Sequence, residues 1–192
     1  MGSYKELLKI FYTIRDSRFL IDTAAGPMYR RRIPWQYPQD KCWARTGMTD
    51  IYAEEQGLVR PVPIWVFGEL VAHSNYSRNK DEMVYWAWHV APMLAVNNIN
   101  YVLDPALNPA APLEVNAWYK AMHDAKLTAV VCKTFTYYPD DSCNNPIPYA
   151  RDEKIKTDIS YALDAERENI DLLFMGETPP WSWSPPRTFG TP

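Results

Sequence analysis

A long apolar segment that turns back on itself limits most strongly the folds open to this chain. Residues 84–96 are rich in aromatic and β-branched side chains, which favour strands. Asn97-Asn98 follows as a turn signal, and Tyr101-Val102-Leu103 again has strand-like composition. We therefore predict an antiparallel hairpin, with strands over 84–96 and 100–104.

The rest of the chain mixes helical and strand-like patterns. Apolar periodicity and capping signals predict helices over 4–16, 41–56, 113–125 and 151–174, and apolar runs predict strands over 64–67 and 128–138. The 17 prolines against 7 glycines disfavour an all-helical bundle, because proline interrupts helices. We expect an α+β fold in which an antiparallel sheet packs against helices.

The segments between these elements are rich in polar residues and proline, and loops are predicted over 22–38, 71–82 and 105–112. A length of 192 residues suits one domain. We expect a single catalytic domain over 1–176, followed by a tail over 177–192 that is rich in proline and tryptophan.

Charge and hydropathy exclude several classes of protein. The net charge of −3 is not that of a dedicated nucleic-acid-binding protein, and Arg30-Arg31-Arg32 indicates a solvated turn. No apolar run is long enough to span a membrane, and Met1-Gly2-Ser3-Tyr4-Lys5-Glu6 lacks a signal-peptide pattern. The chain is expected to be cytoplasmic, or secreted or delivered as an effector. No zinc-ligand spacing or phosphate-binding glycine loop is present, so no metal or cofactor is expected.

The cysteines point to one reactive thiol. Their odd number, Cys42, Cys132 and Cys143, does not indicate a disulfide framework; it fits a reducing compartment or leaves at least one thiol free. Cys42 follows Asp40, the expected N-cap of the helix over 41–56. In the first helical turn, free N–H groups and the helix dipole favour a thiolate. Cys42 is therefore a candidate nucleophile, the alternative being a buried cysteine that only packs.

A histidine and an aspartate are brought near each other by the predicted hairpin. His89 lies within an apolar strand, where its imidazole is costly unless both nitrogens are satisfied. Asp104 follows the return strand and precedes Pro105, and the pairing brings its carboxylate within reach of His89. Such a carboxylate can orient a catalytic imidazole, although Asp104 in a turn that caps its own loop is the alternative.

Together these residues give a nucleophile, a base and an orienting carboxylate in the order Cys42, His89, Asp104. The nucleophile begins a helix and the base lies on a strand, which is the arrangement of papain-like thiol enzymes. The other histidines are poorer candidates, since His73 lies in a polar loop and His123 follows an exposed helix face.

Several segments resemble, in order and with similar gaps, the bacterial protein-glutaminase family. The first surrounds Cys42 and the third contains His89; they are Tyr37-Pro38-Gln39-Asp40-Lys41-Cys42-Trp43-Ala44-Arg45, Val66-Phe67-Gly68-Glu69-Leu70, Trp86-Ala87-Trp88-His89-Val90-Ala91, Asp104-Pro105-Ala106-Leu107 and Ala117-Trp118. The resemblance covers roughly residues 35–120. It implies a papain- and transglutaminase-like fold, a Cys42–His89–Asp104 triad and deamidation of protein-bound glutamine. The chain departs from the secreted members of the family, which carry disulfides near the active site, because its only cysteine in that region is Cys42.

Four further residues are candidates for substrate binding. Trp43, Trp86 and Trp88 can wall a slot for the aliphatic part of a glutamine side chain, although tryptophans more often pack in a core. Strand alternation places Trp86 and Trp88 on the face opposite to His89. Gln36 has the spacing of the oxyanion glutamine in papain-like proteases.

Two other functions remain open. The same triad can transfer an acyl group to an amine, as in transglutaminases, in small-molecule biosynthesis or as a bacterial effector, so the partner is a glutamine-containing protein or peptide or a small amide or acyl substrate. Alternatively, the tail around Trp181 and Trp183 can act as a ligand for a partner protein.

Overall fold

The computed structural model describes residues 2–22, 26, 29–77, 79, 81–123, 126–133 and 148–174. The predicted tail over 177–192 lies outside the described residues, and so does Cys143. Within these described residues, four helices and seven strands follow one another as α1 (Tyr4–Asp16), β1 (Leu20–Ile21), β2 (Arg30–Arg31), α2 (Cys42–Glu55), β3 (Val62–His73), β4 (Met83–Val96), β5 (Ile99–Val102), β6 (Leu113–Glu114), α3 (Val115–Ala121), β7 (Thr128–Val131) and α4 (Pro148–Phe174).

A five-stranded antiparallel sheet, in the order β6-β5-β4-β3-β7, forms the centre of the molecule. The predicted hairpin is confirmed as β4 and β5, in which Val96 pairs with Ile99. Asn97 and Asn98 both have positive φ angles, of 49° and 66°. Two-residue turns of this kind match the twist of the flanking strands, and asparagine tolerates them well.

Apolar residues pack in two main clusters, which alternate along the strands. On β3, Trp65 belongs to one cluster, while Ile64 and Val66 belong to the other. The first cluster holds the buried residues of α1, α2 and α4, and the second holds Trp118 of α3. The expected α+β fold, with an antiparallel sheet packed against helices, is therefore confirmed.

The helix predictions hold best where periodicity is strong. Helix α1 has the predicted bounds, and Ser3 begins it with a capping box to Glu6. The inward face predicted for α4 is also correct, since Ile155, Ile159, Ala162 and Leu163 are all buried. Helix α3 ends at Ala121, earlier than predicted, because Met122 and His123 leave helical geometry and the latter has a φ of 47°.

Strand and loop predictions needed more correction. Strand β3 continues to His73 and absorbs the start of the loop predicted over 71–82, because β4 supplies a partner for every residue from Leu70 to His73. Strand β7 ends at Val131, and most of the remainder predicted, 134–138, lies outside the described residues. The loop predicted over 22–38 contains the short strand β2, whose Arg31 forms partly buried ion pairs instead of lying in a solvated turn.

The odd cysteine count correctly predicted a free thiol, but it did not predict a disulfide. Cys132 is disulfide-bonded, whereas Cys42 is a free, buried thiol. Among the described residues, no helix combines the length and the apolar character needed to cross a membrane.

Candidate active site

Cys42 is the first residue of α2, one position closer to the helix start than the sequence indicated. The prediction that Asp40 caps the helix is wrong, because the N-cap is Lys41, which has a left-handed φ of 59° and gives no side-chain cap. The Asp40 carboxylate instead accepts a hydrogen bond from the Lys41 N–H, at 2.6 Å. The Cys42 N–H still belongs to the first turn, where N–H groups have no intrahelical acceptor and the dipole favours negative charge.

The predicted contact between His89 and Asp104 is present and completely buried. His89 Nε2 lies 2.8 Å from Asp104 Oδ2, and the two residues are 1% and 4% exposed. The indole N–H of Trp118 donates to the same oxygen at 3.0 Å. Burial alone would raise the pKa of Asp104, but the interactions with His89, Trp118 and Arg45 outweigh it, so its pKa is lowered and the group is a carboxylate.

The bond from Nε2 to Asp104 leaves Nδ1 of His89 for the thiol. Nδ1 is buried and makes no hydrogen bond of ordinary geometry. Burial lowers the pKa of His89. Asp104 and, more weakly, the Cys42 thiol outweigh this effect and raise the pKa to about 9. The ring is therefore an imidazolium at neutral pH, beside the group whose thiolate it would stabilise.

One hydrogen bond links the nucleophile's helix directly to the strand of the base. Thr46, one turn after Cys42, donates from Oγ1 to the main-chain oxygen of Val90 at 3.2 Å and also to that of Cys42 at 3.0 Å. Since Val90 adjoins His89, this contact fixes α2 against β4 at the level of the site.

Trp86 covers the imidazole, although strand alternation predicts that it faces away. Its ring stacks on that of His89 with centroids 4.4 Å apart and planes 8° apart. The pairing of β3 with β4 shifts register between Phe67 and Leu70, opposite this part of β4. Such a bulge bends and twists the strands locally, and the simple alternation does not hold across it. The Trp86 indole also donates to the main-chain oxygens of Pro38 and Gln39, at 3.1 and 3.2 Å.

The other predicted substrate-binding residues do not gather around the imidazole. Trp88 packs against the first core cluster, with its ring centroid 5.3 Å from that of Trp65. Trp43 is buried in the same cluster, under the ammonium of Lys154. Gln36 Oε1 accepts from Arg32 at 2.7 Å, so this side chain is engaged away from the triad, and its oxyanion role stays a prediction.

Three residues of the site were not singled out by reasoning from spacing. The sequence placed Trp118 only in a helix and in a matched segment, yet its indole N–H donates to the carboxylate of Asp104. Gln39 has an amide whose nitrogen and oxygen are both buried without a hydrogen-bond partner in the described part of the chain. Arg45 is 1% exposed, and the available signal was an arginine one helical turn after the candidate nucleophile.

The remaining histidines take no part in the site. His73 Nε2 lies 2.5 Å from Glu82 at an exposed position, and His123 follows α3. Within the described ranges, no group of three or more histidine, cysteine, aspartate or glutamate residues is arranged to hold a metal ion.

A family described as glutaminase matches residues 7–122, which is more than half of the chain and includes every member of the triad. The chain belongs to the glutaminase family. Membership supports glutamine deamidation and a deamidase enzyme. No curated protein shows significant similarity to the chain.

Solved structures of protein-glutaminase share the fold. A crystal structure of protein-glutaminase is 19% identical, with a TM-score of 0.52, and the match covers 74% of this chain and 84% of that one. The NMR structure of protein-glutaminase from Chryseobacterium proteolyticum is 18% identical, with a TM-score of 0.51, over 74% and 82% of the two chains. A crystal structure of pro-protein-glutaminase is 20% identical, with a TM-score of 0.53, over 68% of this chain. The match spans about half, 48%, of that longer protein.

Proposed function

We propose that this protein hydrolyses the carboxamide of glutamine side chains in proteins or peptides, through a thioester on Cys42. Membership of the glutaminase family supports the reaction. The observation that carries the mechanism is the buried His89–Asp104 pair beside a free thiol at the start of a helix. These are the groups that nucleophilic acyl transfer requires: a thiolate, an acid–base group and an orienting carboxylate.

In the first half of the reaction, the Cys42 thiolate attacks the carbonyl carbon of the glutamine carboxamide. The carbonyl oxygen becomes an oxyanion, for which the Cys42 N–H at the helix start is a suitable donor. The imidazolium of His89 gives its proton from Nδ1 to the departing nitrogen. The C–N bond breaks, ammonia leaves and a thioester remains, while Asp104 keeps the ring oriented through Nε2.

In the second half, the neutral imidazole takes a proton from a water molecule that attacks the thioester carbon. The C–S bond breaks, the thiolate is restored and the product is a glutamate side chain. The same imidazole acts as acid and then as base. If a primary amine attacked in place of water, the product would be a new amide, which is the transglutaminase-type alternative.

The test is ammonia release from a short peptide with one internal glutamine, read together with the mass of the peptide. We expect ammonia and conversion of the amide to the acid with the wild-type protein, and neither with Cys42→Ala. His73→Ala is the matched control, because His73 is an exposed histidine paired with Glu82 away from the triad. Wild-type protein that releases no ammonia from glutamine-containing peptides or proteins would overturn the proposal. A peptide–amine adduct formed in preference to the acid would support the acyl-transfer alternative instead.

We also propose that the protein acts in an oxidising compartment, as a secreted or delivered enzyme and not a cytoplasmic one. The disulfide of Cys132 supports this, because disulfides are rare in reducing compartments. Alkylation of protein taken from its native cells without reductant should leave Cys132 unlabelled. Complete labelling of Cys132 would contradict the proposal.

A further inference from the structure

Arg45 is a buried cation that has no ion-pair partner among the described residues. It is 1% exposed, and among the described residues no carboxylate lies within ion-pair distance of its guanidinium. Its Nη1 donates to the main-chain oxygens of Tyr37 and Asp40, at 2.6 and 2.7 Å. Its Nη2 is buried without any hydrogen-bond partner. A buried, uncompensated charge of this kind costs a protein considerable stability unless another charge offsets it.

The charged groups around Arg45 come from four parts of the fold. They are Cys42 on its own helix, Asp104 after β5, Asp40 in the preceding loop and Glu166 on α4. Three of them have other commitments. Asp104 binds His89 and Trp118, Glu166 is ion-paired with Arg31, and Asp40 is half exposed to water.

Cys42 is the remaining group. Residues three apart on a helix lie on neighbouring positions of its surface, so Arg45 stands one turn above the nucleophile. An arginine keeps its charge when buried, whereas a lysine readily loses it. A permanent positive charge one helical turn from a thiol favours the thiolate, as does the imidazolium of His89.

The two carbonyl contacts of Arg45 have a second effect. They tie the loop at Tyr37 and Asp40 to α2, next to Lys41, whose left-handed φ of 59° is uncommon for a residue other than glycine. Such a conformation persists only where its surroundings hold it. Arg45 thus both supplies charge and holds the turn that presents Cys42.

We propose that Arg45 is a positioning residue that keeps Cys42 as a thiolate through its buried positive charge and fixes the turn before it. The proposal rests on the proposed function, because it assigns Arg45 a part in activating that nucleophile. It predicts that loss of the charge moves the ionisation of Cys42 to higher pH, by about one to two pH units for a unit charge one helical turn away.

The test measures the rate of iodoacetamide alkylation of Cys42 against pH, by mass spectrometry of the peptide that contains it. The variants are Arg45→Gln, which retains an amide donor but no charge, and Arg45→Met, which retains only bulk. Arg15→Met is the control, because Arg15 is also buried but is paired with Asp16. Thermal unfolding identifies the variants that fold, and either uncharged variant suffices.

The alkylation midpoint should move to higher pH in the uncharged variant and should stay close to the wild-type value in Arg15→Met. An unchanged midpoint in the uncharged variant would overturn the proposal. An equal shift in Arg15→Met would also overturn it, since the effect would then follow the loss of any buried arginine and not the loss of the charge near Cys42. Alkylation requires no substrate, so this result is independent of whether glutamine peptides release ammonia.

Discussion

Two arginines of this protein, the partly buried Arg31 and the fully buried Arg45, meet opposite surroundings. Arg31 donates to Asp22 and to the Leu163 carbonyl at 3.0 Å and pairs with Glu166. Burial lowers its pKa, but the two carboxylates outweigh burial and the pKa is raised. For Arg45, burial outweighs the nearby negative groups and the pKa is lowered. The positive charge of Arg31 is compensated by the carboxylates of its own ion-pair network. The charge of Arg45 has no such partner among the described residues, and we infer that the Cys42 thiolate compensates it.

Removal of the proposed nucleophile should cause the largest loss of activity. Cys42→Ser keeps the shape of the site but replaces the thiolate by a hydroxyl that is not ionised at neutral pH. We expect ammonia release to fall by about 10⁴-fold or more, with little change in thermal unfolding. A Cys42→Ser variant that retains a tenth of the wild-type rate would show that the thiol is not the nucleophile.

Neutralising the orienting carboxylate should give the next largest loss. Asp104→Asn keeps a partner for Trp118 but removes the negative charge beside His89, and we expect kcat to fall by about 10²–10⁴-fold. Asp164→Asn, at an exposed helical position, is the matched control and should leave kcat unaltered. Equal kcat values for Asp104→Asn and wild type would exclude an orienting role.

The pH profile tests the charge of His89. Its pKa is raised to about 9, so the imidazolium, and the stability gained from pairing it with Asp104, is present below the ordinary value of 6.5 and is lost as pH rises through about 9. We expect kcat/KM of the wild type to decline above about pH 9. The decline should begin at lower pH in Asp104→Asn, because the group that raises the pKa most is gone. An alkaline limit identical in the two proteins would contradict this assignment.

A substitution in the Arg31 ion-pair network should change the stability of the fold without changing the pH dependence of the reaction. Glu166→Gln removes one carboxylate from the Arg31 network and leaves the partly buried guanidinium with Asp22 as its acidic partner. We expect a loss of about 1.5–3 kcal/mol in the free energy of unfolding, measured by urea titration, while the alkaline limit of activity stays in place. A shift of that limit would show that the two charge systems are coupled.

The smallest effect is expected at the tryptophan over the imidazole. Trp86→Phe keeps a ring against His89 but loses the hydrogen bonds to Pro38 and Gln39, so we expect about a tenfold fall in kcat with a modest loss of stability. Trp88→Phe is the matched control, because Trp88 packs in the core; it should lower stability and leave kcat near that of wild type. The reverse pattern would mean that Trp88 faces the substrate.

Periodicity and composition were enough to predict the hairpin, α1, the inward face of α4 and the proximity of His89 to Asp104. They failed where a single backbone angle or one inserted residue decides the outcome. The left-handed Lys41 moves the helix cap away from Asp40, and the bulge between Phe67 and Leu70 changes the face of Trp86 relative to His89. The role of Arg45 was also invisible, because a spacing pattern does not reveal that a cation lacks a buried partner.

The hydrogen bond from Thr46 to Val90 has a consequence for how this chain can diverge. Cys42 and His89 belong to different elements, and the separation between sulfur and imidazole is set by how closely α2 lies on β4. We therefore expect the apolar side chains of α2 and β4 in the first core cluster to set the spacing on which the proposed reaction depends. Sequence changes there can tune turnover without touching any group that meets the substrate.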